Sequence, residues 1–564
     1  MGRTHYRKAD KKLINSGRGD VHVSHKNYKG SIIVTLSSFF YKNVALFNIW
    51  RMKYLKIFDA TLRDGGYYTD WDFDNETVDA YIKAMNALPI DYLELGYRNN
   101  PSKEYLGKYG YCPVNVLKHI RAISTKKLDV MLNEKSTKPE DLKTLIKPLV
   151  GVVDMIRVAI DPKNFDRAVV LAKAIKAMGF ELGFNCMYMS RWLSDYPDFL
   201  KKLNQINGVA DLFCMVDSFG GMTPQELTTI VKEVRANTTV PVGFHGHNNL
   251  QLGLINTLTA IELGLEYVDC TVLGMGRGAG NLNTELLLTV LNAQQGLEVD
   301  FNVLGDVITA FTPLYEKYRW GTQLPYMISG ANSIPQKEVM ELVTNRVYSF
   351  DSIVRGLQNR KDKVKDNAKY PELQNAYYDD VIIVGGGQSP MEHQGGIIDF
   401  IKQKKNIALV FATARHAGKF LGVDVPQYYC LLGREAKRLK ANVSAGQFKG
   451  TCVLPPYPRK LGTEVPEYAE KATYELPRIE FTTEYQDSCT TLAIQTALNI
   501  CRGNIYIVGY DGYPGSVLSE KEVALSNENM ALLQDYEKYT GKKMKSLTPS
   551  LYPELEVESI YQFI

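Results

Sequence analysis

From Tyr54 onward, short apolar runs alternate with segments whose apolar residues recur every three or four positions. Runs of this length, buried on both faces, are the strands of a parallel sheet, and the segments between them are amphipathic helices. The alternation predicts strands at Tyr54–Thr61, Asp91–Tyr97, Leu128–Asn133, Asp154–Ile160, Glu181–Tyr188, Asp211–Val216, Val242–Phe244 and Tyr267–Leu273. Between them it predicts helices at Asn75–Leu88, Val114–Ser124, Pro139–Lys147, Asn164–Met178, Tyr196–Ile206 and Pro224–Ala236, with a further helical pattern from Leu252 to Leu263. Two boundaries carry their own mechanism. Thr223-Pro-Gln-Glu226 is a capping box with Pro at the first helical position. Gly179 follows the last apolar residue of its helix, where a left-handed cap costs glycine little. Eight consecutive units in about 245 residues is the size of a closed (β/α)8 TIM barrel. An open doubly wound sheet is the alternative.

The barrel pattern is expected to span 52–300, with a helical extension over 301–355 that completes the site. Gly356 to Asp380 is polar and rich in Lys, Asn and Asp, which reads as a linker over 356–379. Asp380-Val-Ile-Ile-Val384 is then a buried strand running into a glycine turn, followed by strands at Ile407–Ala412, Tyr428–Leu432 and Ile505–Val508 and a helix at Thr490–Ile500. Residues 380–564 are therefore expected to form a second, Rossmann-like α/β domain. A turn such as Gly385-Gly386-Gly387 can hold a nucleotide phosphate at a helix start. The dinucleotide fingerprint is incomplete, however, with Pro390 where glycine is expected, and the same residues also suit a plain tight turn.

Composition adds limits. The 564 residues are 45% apolar and 23% charged, with a net charge of +4 that gives no reason to expect nucleic acid. Residues 1–51 carry ten Lys and Arg against two Asp, a net +8, so the rest of the chain is at −4. This basic stretch reads as a disordered or non-native extension, with Met52 as the functional start. Lys42 and Asn43 interrupt its apolar part, against a membrane span. The eight Cys form no C-x-x-C pair, so zinc ribbons and disulfide scaffolds are not expected and a reduced, cytoplasmic setting fits best.

The chemistry gathers where a barrel keeps it, at the carboxyl ends of the strands. His245 and His247 lie two apart at the end of strand seven and so share a face, as two imidazoles on one metal must. Asp64, at the end of strand one, supplies a carboxylate. That donor set suits Mn²⁺ or Mg²⁺, with Zn²⁺ as the softer option. Asn281, after strand eight, is either a fourth ligand or a donor to the ligands. A 2-oxo acid can chelate such an ion, and Arg63 beside it can stabilise an enolate. Glu94 on strand two is expected to be catalytic with Arg63, Asp64 and Tyr67, or else a structural ion-pair partner of Arg63 that orients it.

Phe58-Asp-Ala-Thr-Leu-Arg-Asp-Gly65, Leu93-Glu-Leu95, Val216-Asp-Ser218, His245-Gly-His247 and Gly278-Ala-Gly-Asn281 follow one another on successive strands. Together they resemble the DRE-type metal-dependent barrel family. It includes hydroxymethylglutaryl-CoA lyase, 2-isopropylmalate synthase and 4-hydroxy-2-oxovalerate aldolase. The lyase carries a catalytic Cys after strand eight, and Gly274 to Asn281 has none. The synthases usually have an acidic or amide pair where this chain has Gly66-Tyr67-Tyr68. The Val216-Asp-Ser218 pattern is closer to the aldolase, and Trp320 to Ser329 resembles the aldolase segment that returns a tyrosine, here Tyr326, to the site. The resemblance implies Asp64, His245 and His247 as metal ligands, and Arg63, Asp217, Ser218, His245 and Tyr326 as substrate contacts. Tyr67 stands where the aldolase has its histidine base, a substitution that leaves the general base in question. The implied activity is aldol cleavage or formation of a 4-hydroxy-2-oxo acid through a pyruvate enolate. The implied partners are small oxo acids and aldehydes, a homo-oligomer and an aldehyde dehydrogenase, without nucleic acid or membrane. Acyl-CoA condensation with a 2-oxo acid and a non-catalytic scaffold are the competing readings.

Overall fold

Eight strands close into a barrel in sequence order: β1 (Lys56–Asp59), β2 (Tyr92–Tyr97), β3 (Lys127–Asn133), β4 (Met155–Ile160), β5 (Glu181–Cys186), β6 (Leu212–Asp217), β7 (Val242–Gly246) and β8 (Tyr267–Cys270). Every neighbouring pair is parallel, including β1 with β8. The computed structural model describes residues 54–564, apart from 104, 345–347, 349, 365, 366, 460 and 515–517. The basic stretch 1–51 and the start at Met52 lie outside the described residues.

The barrel interior is layered, because side chains two apart on a strand share a face and alternate strands fill each layer. Tyr92, Met155, Leu212 and Tyr267, from β2, β4, β6 and β8, belong to one apolar cluster with Phe58 that plugs the amino-terminal end. Two residues on, the same strands present Glu94, Arg157, Cys214 and Asp269, all buried. Gly183 on β5 makes room for this layer, since a Cβ there would lie 2.9 Å from Arg157 Cγ. The floor is therefore apolar, and the layer above it carries charge.

Several expectations need correction. The first strand stops at Asp59, whose carboxylate accepts the Thr61 N–H at 3.0 Å, and Thr61–Thr69 is a helix. Leu62 to Gly66 thus ride on a helix instead of ending a strand. Its two glycines answer close packing: a Cβ on Gly65 would lie 2.5 Å from Met275 Sδ, and one on Gly66 2.1 Å from the Trp71 ring. The expected helix over Pro139–Lys147 breaks into short turns at Pro139–Asp141, Leu142–Leu145 and Lys147–Leu149. Tyr196–Ile206 forms no α-helix. Leu200, Leu203 and Ile206 are buried at a strict period of three, which is the period of the 3₁₀ helix found over Leu200–Ile206. The linker expected from Gly356 begins inside a helix, Phe350–Asp362. Ile353 and Leu357 are buried on it, and a Cβ on Gly356 would lie 2.7 Å from Leu461 Cδ2. The Thr223–Glu226 capping box and the left-handed Gly179 are present as expected.

The second sheet has eight parallel strands: β9 (Tyr378–Val384), β10 (Ile407–Phe411), β11 (Gln427–Cys430), β12 (Thr451–Leu454), β13 (Thr473–Glu475), β14 (Cys501–Val508), β15 (Met544–Ser546) and β16 (Leu555–Val557). Their order is β13-β12-β11-β10-β9-β14-β15-β16. Both faces are covered. Val381 and Ile383 pack with Leu492 and Leu533 on one side, and Ile382 and Val384 with Ile397 and Leu439 on the other. Among the described residues no helix is long and apolar enough to cross a membrane, and all eight cysteines are free.

Candidate active site

Asp64 from the helix Thr61–Thr69, His245 and His247 from the end of β7, and Asn281 from the segment after β8 meet at the carboxyl end of the barrel. His245 Nε2 lies 3.4 Å from Asp64 Oδ2, and Asn281 Nδ2 donates to that same oxygen at 2.7 Å. The two imidazole rings are 5.0 Å apart. All four side chains are buried.

Each imidazole is oriented from behind. His245 Nδ1 pairs with Asp269 Oδ2 at 2.9 Å, and His247 Nδ1 donates to the Asp217 backbone oxygen at 2.8 Å. With Nδ1 so engaged, Nε2 of each ring keeps its lone pair, the tautomer a metal ligand needs. Burial, and then the neighbouring His245, push His247 down to about 3, so it is neutral at ordinary pH. Burial opposes the ionisation of Asp64, yet Arg63 and the two histidines hold its carboxyl below the usual range.

A metal tests well against the chemistry of these donors and less well against their present spacing. Asn281 Oδ1 is buried without a hydrogen-bond partner. The 3.4 Å between His245 Nε2 and Asp64 Oδ2 is near the roughly 3 Å between adjacent ligands of an octahedral ion. Among the described residues, however, no three His, Cys, Asp or Glu side chains already stand as a ready-made metal cluster. The reason is visible in Asp64, which turns its other oxygen onto Arg63. The donor types and tautomers fit a divalent cation.

The remaining expected residues fall into two groups. Arg63 donates from Nε to Glu94 Oε2 at 2.7 Å and so is locked between two carboxylates. Ser218 Oγ accepts the Tyr188 N–H at 2.8 Å, which leaves its own proton to give. Tyr67 pairs hydroxyl to hydroxyl with Tyr97 at 3.2 Å, and the Arg277 guanidinium lies 5.0 Å over its ring. Asp217 reaches the histidines only through its backbone. Its carboxylate oxygens accept the N–H groups of Gly220 and Met222 at 3.0 and 3.1 Å. Tyr326 packs beneath the strand-eight turn, where a Cβ on Gly278 would lie 3.1 Å from its ring. The Tyr68 hydroxyl donates to the carbonyl of that same Gly278 at 3.1 Å, and the Tyr326 backbone oxygen accepts from Asn249 at 2.9 Å. In the second sheet, the glycine turn Gly385–Gly387 follows β9, far along the chain from these groups.

Sequence reasoning missed Arg157, Asp269 and Asp129. Arg157 Nη2 donates to Asp269 Oδ2 at 2.8 Å, and its Nη1 is 3.6 Å from Glu94 Oε1. The contacts close into a ring: Asp64, Arg63, Glu94, Arg157, Asp269, His245 and back to Asp64. Asp129 lies below it with neither oxygen hydrogen-bonded. Burial, and then the nearby Glu94 carboxylate, raise Asp129 well above the usual range. The one signal in sequence was a charged residue at the third position of strands β2, β3, β4 and β8.

Residues 155–310 match the HMGL-like family model. A 4-hydroxy-2-oxovalerate aldolase of Carboxydothermus hydrogenoformans is 36% identical over 265 residues, covering 45% of this chain and 76% of the relative. Another, from a Roseiflexus species, is 31% identical over 265 residues, covering 44% of this chain and 73% of the relative. The crystal structure of the N-terminal domain of an inferred aldolase from Bacteroides vulgatus is 69% identical, with a TM-score of 0.51, covering 53% of this chain and 99% of that domain.

Proposed function

The chain belongs to the family of 4-hydroxy-2-oxovalerate aldolases, and from that premise we propose that it cleaves, or in reverse forms, a 4-hydroxy-2-oxo acid through the enolate of pyruvate. The observation that carries this reading is the pair of neighbouring imidazoles, each held by Nδ1, with His245 Nε2 3.4 Å from Asp64 Oδ2. Asp64, His245, His247 and Asn281 would hold the divalent cation, Mn²⁺ or Mg²⁺ before Zn²⁺, whose Lewis acidity toward the keto oxygen is the chemistry it supplies when bound.

The chain's own groups do the rest. In cleavage the bond between C3 and C4 breaks, the C4 hydroxyl gives up its proton, and the aldehyde leaves. The electron pair remains on the pyruvate fragment as an enolate, which takes a proton at C3. Arg63, fixed by Glu94 and Asp64, places a permanent positive charge beside the developing enolate oxygen. Ser218 donates its free proton to the substrate carboxylate. Tyr67 is the hydroxyl assigned to receive and return the C4 proton, with Tyr97 as its relay. Asp217 shapes the loop that carries Ser218. The protein is thereby read as a carbon–carbon lyase with small oxo-acid and aldehyde substrates. The second sheet is read as Rossmann-like, from its strand order about β9 and β14.

The test is direct. Metal-loaded protein is incubated with a panel of 4-hydroxy-2-oxo acids, and pyruvate release is followed by coupling to lactate dehydrogenase. Release with at least one member supports the reading. No pyruvate from any of them, at full metal occupancy, removes it.

A further inference from the structure

A cleft of about 670 Å³ lies in the second sheet, at the carboxyl ends of β9, β10, β11 and β14. That is the size of a small-molecule site. The chain steps outward from β9 through β10 to β13 on one side, then returns to β14 on the other. Connections leaving in opposite directions part the loops, and ligands of open parallel sheets bind in that crevice.

Seven charged side chains line it: Arg415, Arg434 and Arg438 against Glu435, Asp511, Glu522 and Glu528. The acids are all engaged by the protein. Asp511 accepts the Ser389 N–H at 3.0 Å and the Ser389 hydroxyl at 2.5 Å. It also sits over the glycine turn, where a Cβ on Gly387 would lie 2.4 Å from Asp511 Oδ2. The protein's own carboxylate thus occupies the place a phosphate would take on that turn. Glu435 accepts the Ala414 N–H at 2.7 Å and pairs with Arg438. Glu522 accepts both the N–H and the hydroxyl of Ser519, and Glu528 accepts the Ser488 hydroxyl at 2.5 Å.

Two guanidinium groups are left over. Arg434 is exposed, and its guanidinium has no hydrogen bond or ion pair among the described residues. Arg415 gives one nitrogen to the Gly386 carbonyl at 2.7 Å and keeps its other donors. They follow successive strands, β10 and β11. Tyr510, Tyr513 and Tyr552 supply flat apolar faces in the same cleft. Planar guanidinia favour phosphate, and tyrosine rings favour a base or sugar face.

We propose that this cleft binds a nucleoside diphosphate, free or as part of a larger conjugate, with its phosphates between Arg415 and Arg434 and not on the glycine turn. The site is independent of the barrel chemistry. The experiment is calorimetric titration of the full chain with ADP, CDP, GDP, UDP and inorganic pyrophosphate. At least one nucleotide should bind with a Kd below about 100 µM. Arg415→Ala and Arg434→Ala should each weaken it about tenfold or more. Lys440→Ala, an exposed side chain paired with Glu464, should leave it unchanged. Asp64→Asn should bind the nucleotide as the parent does, which separates this result from the fate of the aldolase reading. The proposal is overturned if no nucleotide binds at about 5 mM, if pyrophosphate binds as tightly as the nucleotides, or if the double arginine variant keeps full affinity.

Discussion

His245 and Asp269 meet across adjacent strands, Nδ1 to Oδ2 at 2.9 Å, with both side chains buried. The same oxygen takes Arg157 Nη2 at 2.8 Å. One carboxylate thus sets the tautomer of a proposed ligand and neutralises the only guanidinium in the barrel's charged layer. Asp269→Asn should lower kcat/KM and metal affinity together by about 10- to 100-fold, the usual effect of removing the group behind a ligating histidine. Steady-state assays beside metal titration give the answer. Unchanged metal affinity would mean that Asp269 only packs.

Acid should find the same group. Burial disfavours its charge, but Arg157 and His245 bring Asp269 down to about 2. A folded value below the ordinary one near 3.9 makes the group stabilising above about pH 4, and that contribution fades as pH falls toward 2. Urea unfolding between about pH 5 and pH 2 should show stability falling in this window for the parent chain. The slope should be shallower in Asp269→Asn.

Arg157→Leu should cost about 3–5 kcal/mol, because it takes the guanidinium from Asp269 and one of two from Glu94 and leaves both buried carboxylates undercompensated. Chemical denaturation measures it. A loss under about 1 kcal/mol would show that water or a proton replaces the arginine cheaply.

Asp64→Asn should remove bound metal and pyruvate release in parallel, read by elemental analysis and the coupled assay. Activity that persists in the metal-free variant rules out the assigned ligand.

Tyr67→Phe should reduce kcat by about 10²- to 10⁴-fold with little change in KM, if its hydroxyl handles the C4 proton. A change confined to KM would make Tyr67 part of the pocket wall.

The alternation of strand and helix was plain in the sequence because strands and helices impose different periods on their apolar residues. His245 and His247 were legible because two residues apart on one strand settles their common face. Asp64 was placed at the right end of the barrel although it rides on a helix, Thr61–Thr69, since either element delivers it to the same rim. The ring behind the histidines was not legible. A lone Arg157 or Asp269 inside an apolar run does not say whether it points into the barrel or out, and its partners lie on strands far away in the chain. The four short strands β12, β13, β15 and β16, of three or four residues each, were too brief to register as a pattern.

The closed ring has a net sign. Counting carboxylates and guanidinia alone, Asp64, Glu94 and Asp269 stand against Arg63 and Arg157, an excess of one negative charge in a site shut off from water. Such an interior draws in cations and turns acids away. A divalent ion would not merely balance it but reverse it, and only then does the site favour an incoming carboxylate. On that charge balance a divalent ion would have to load before an acid.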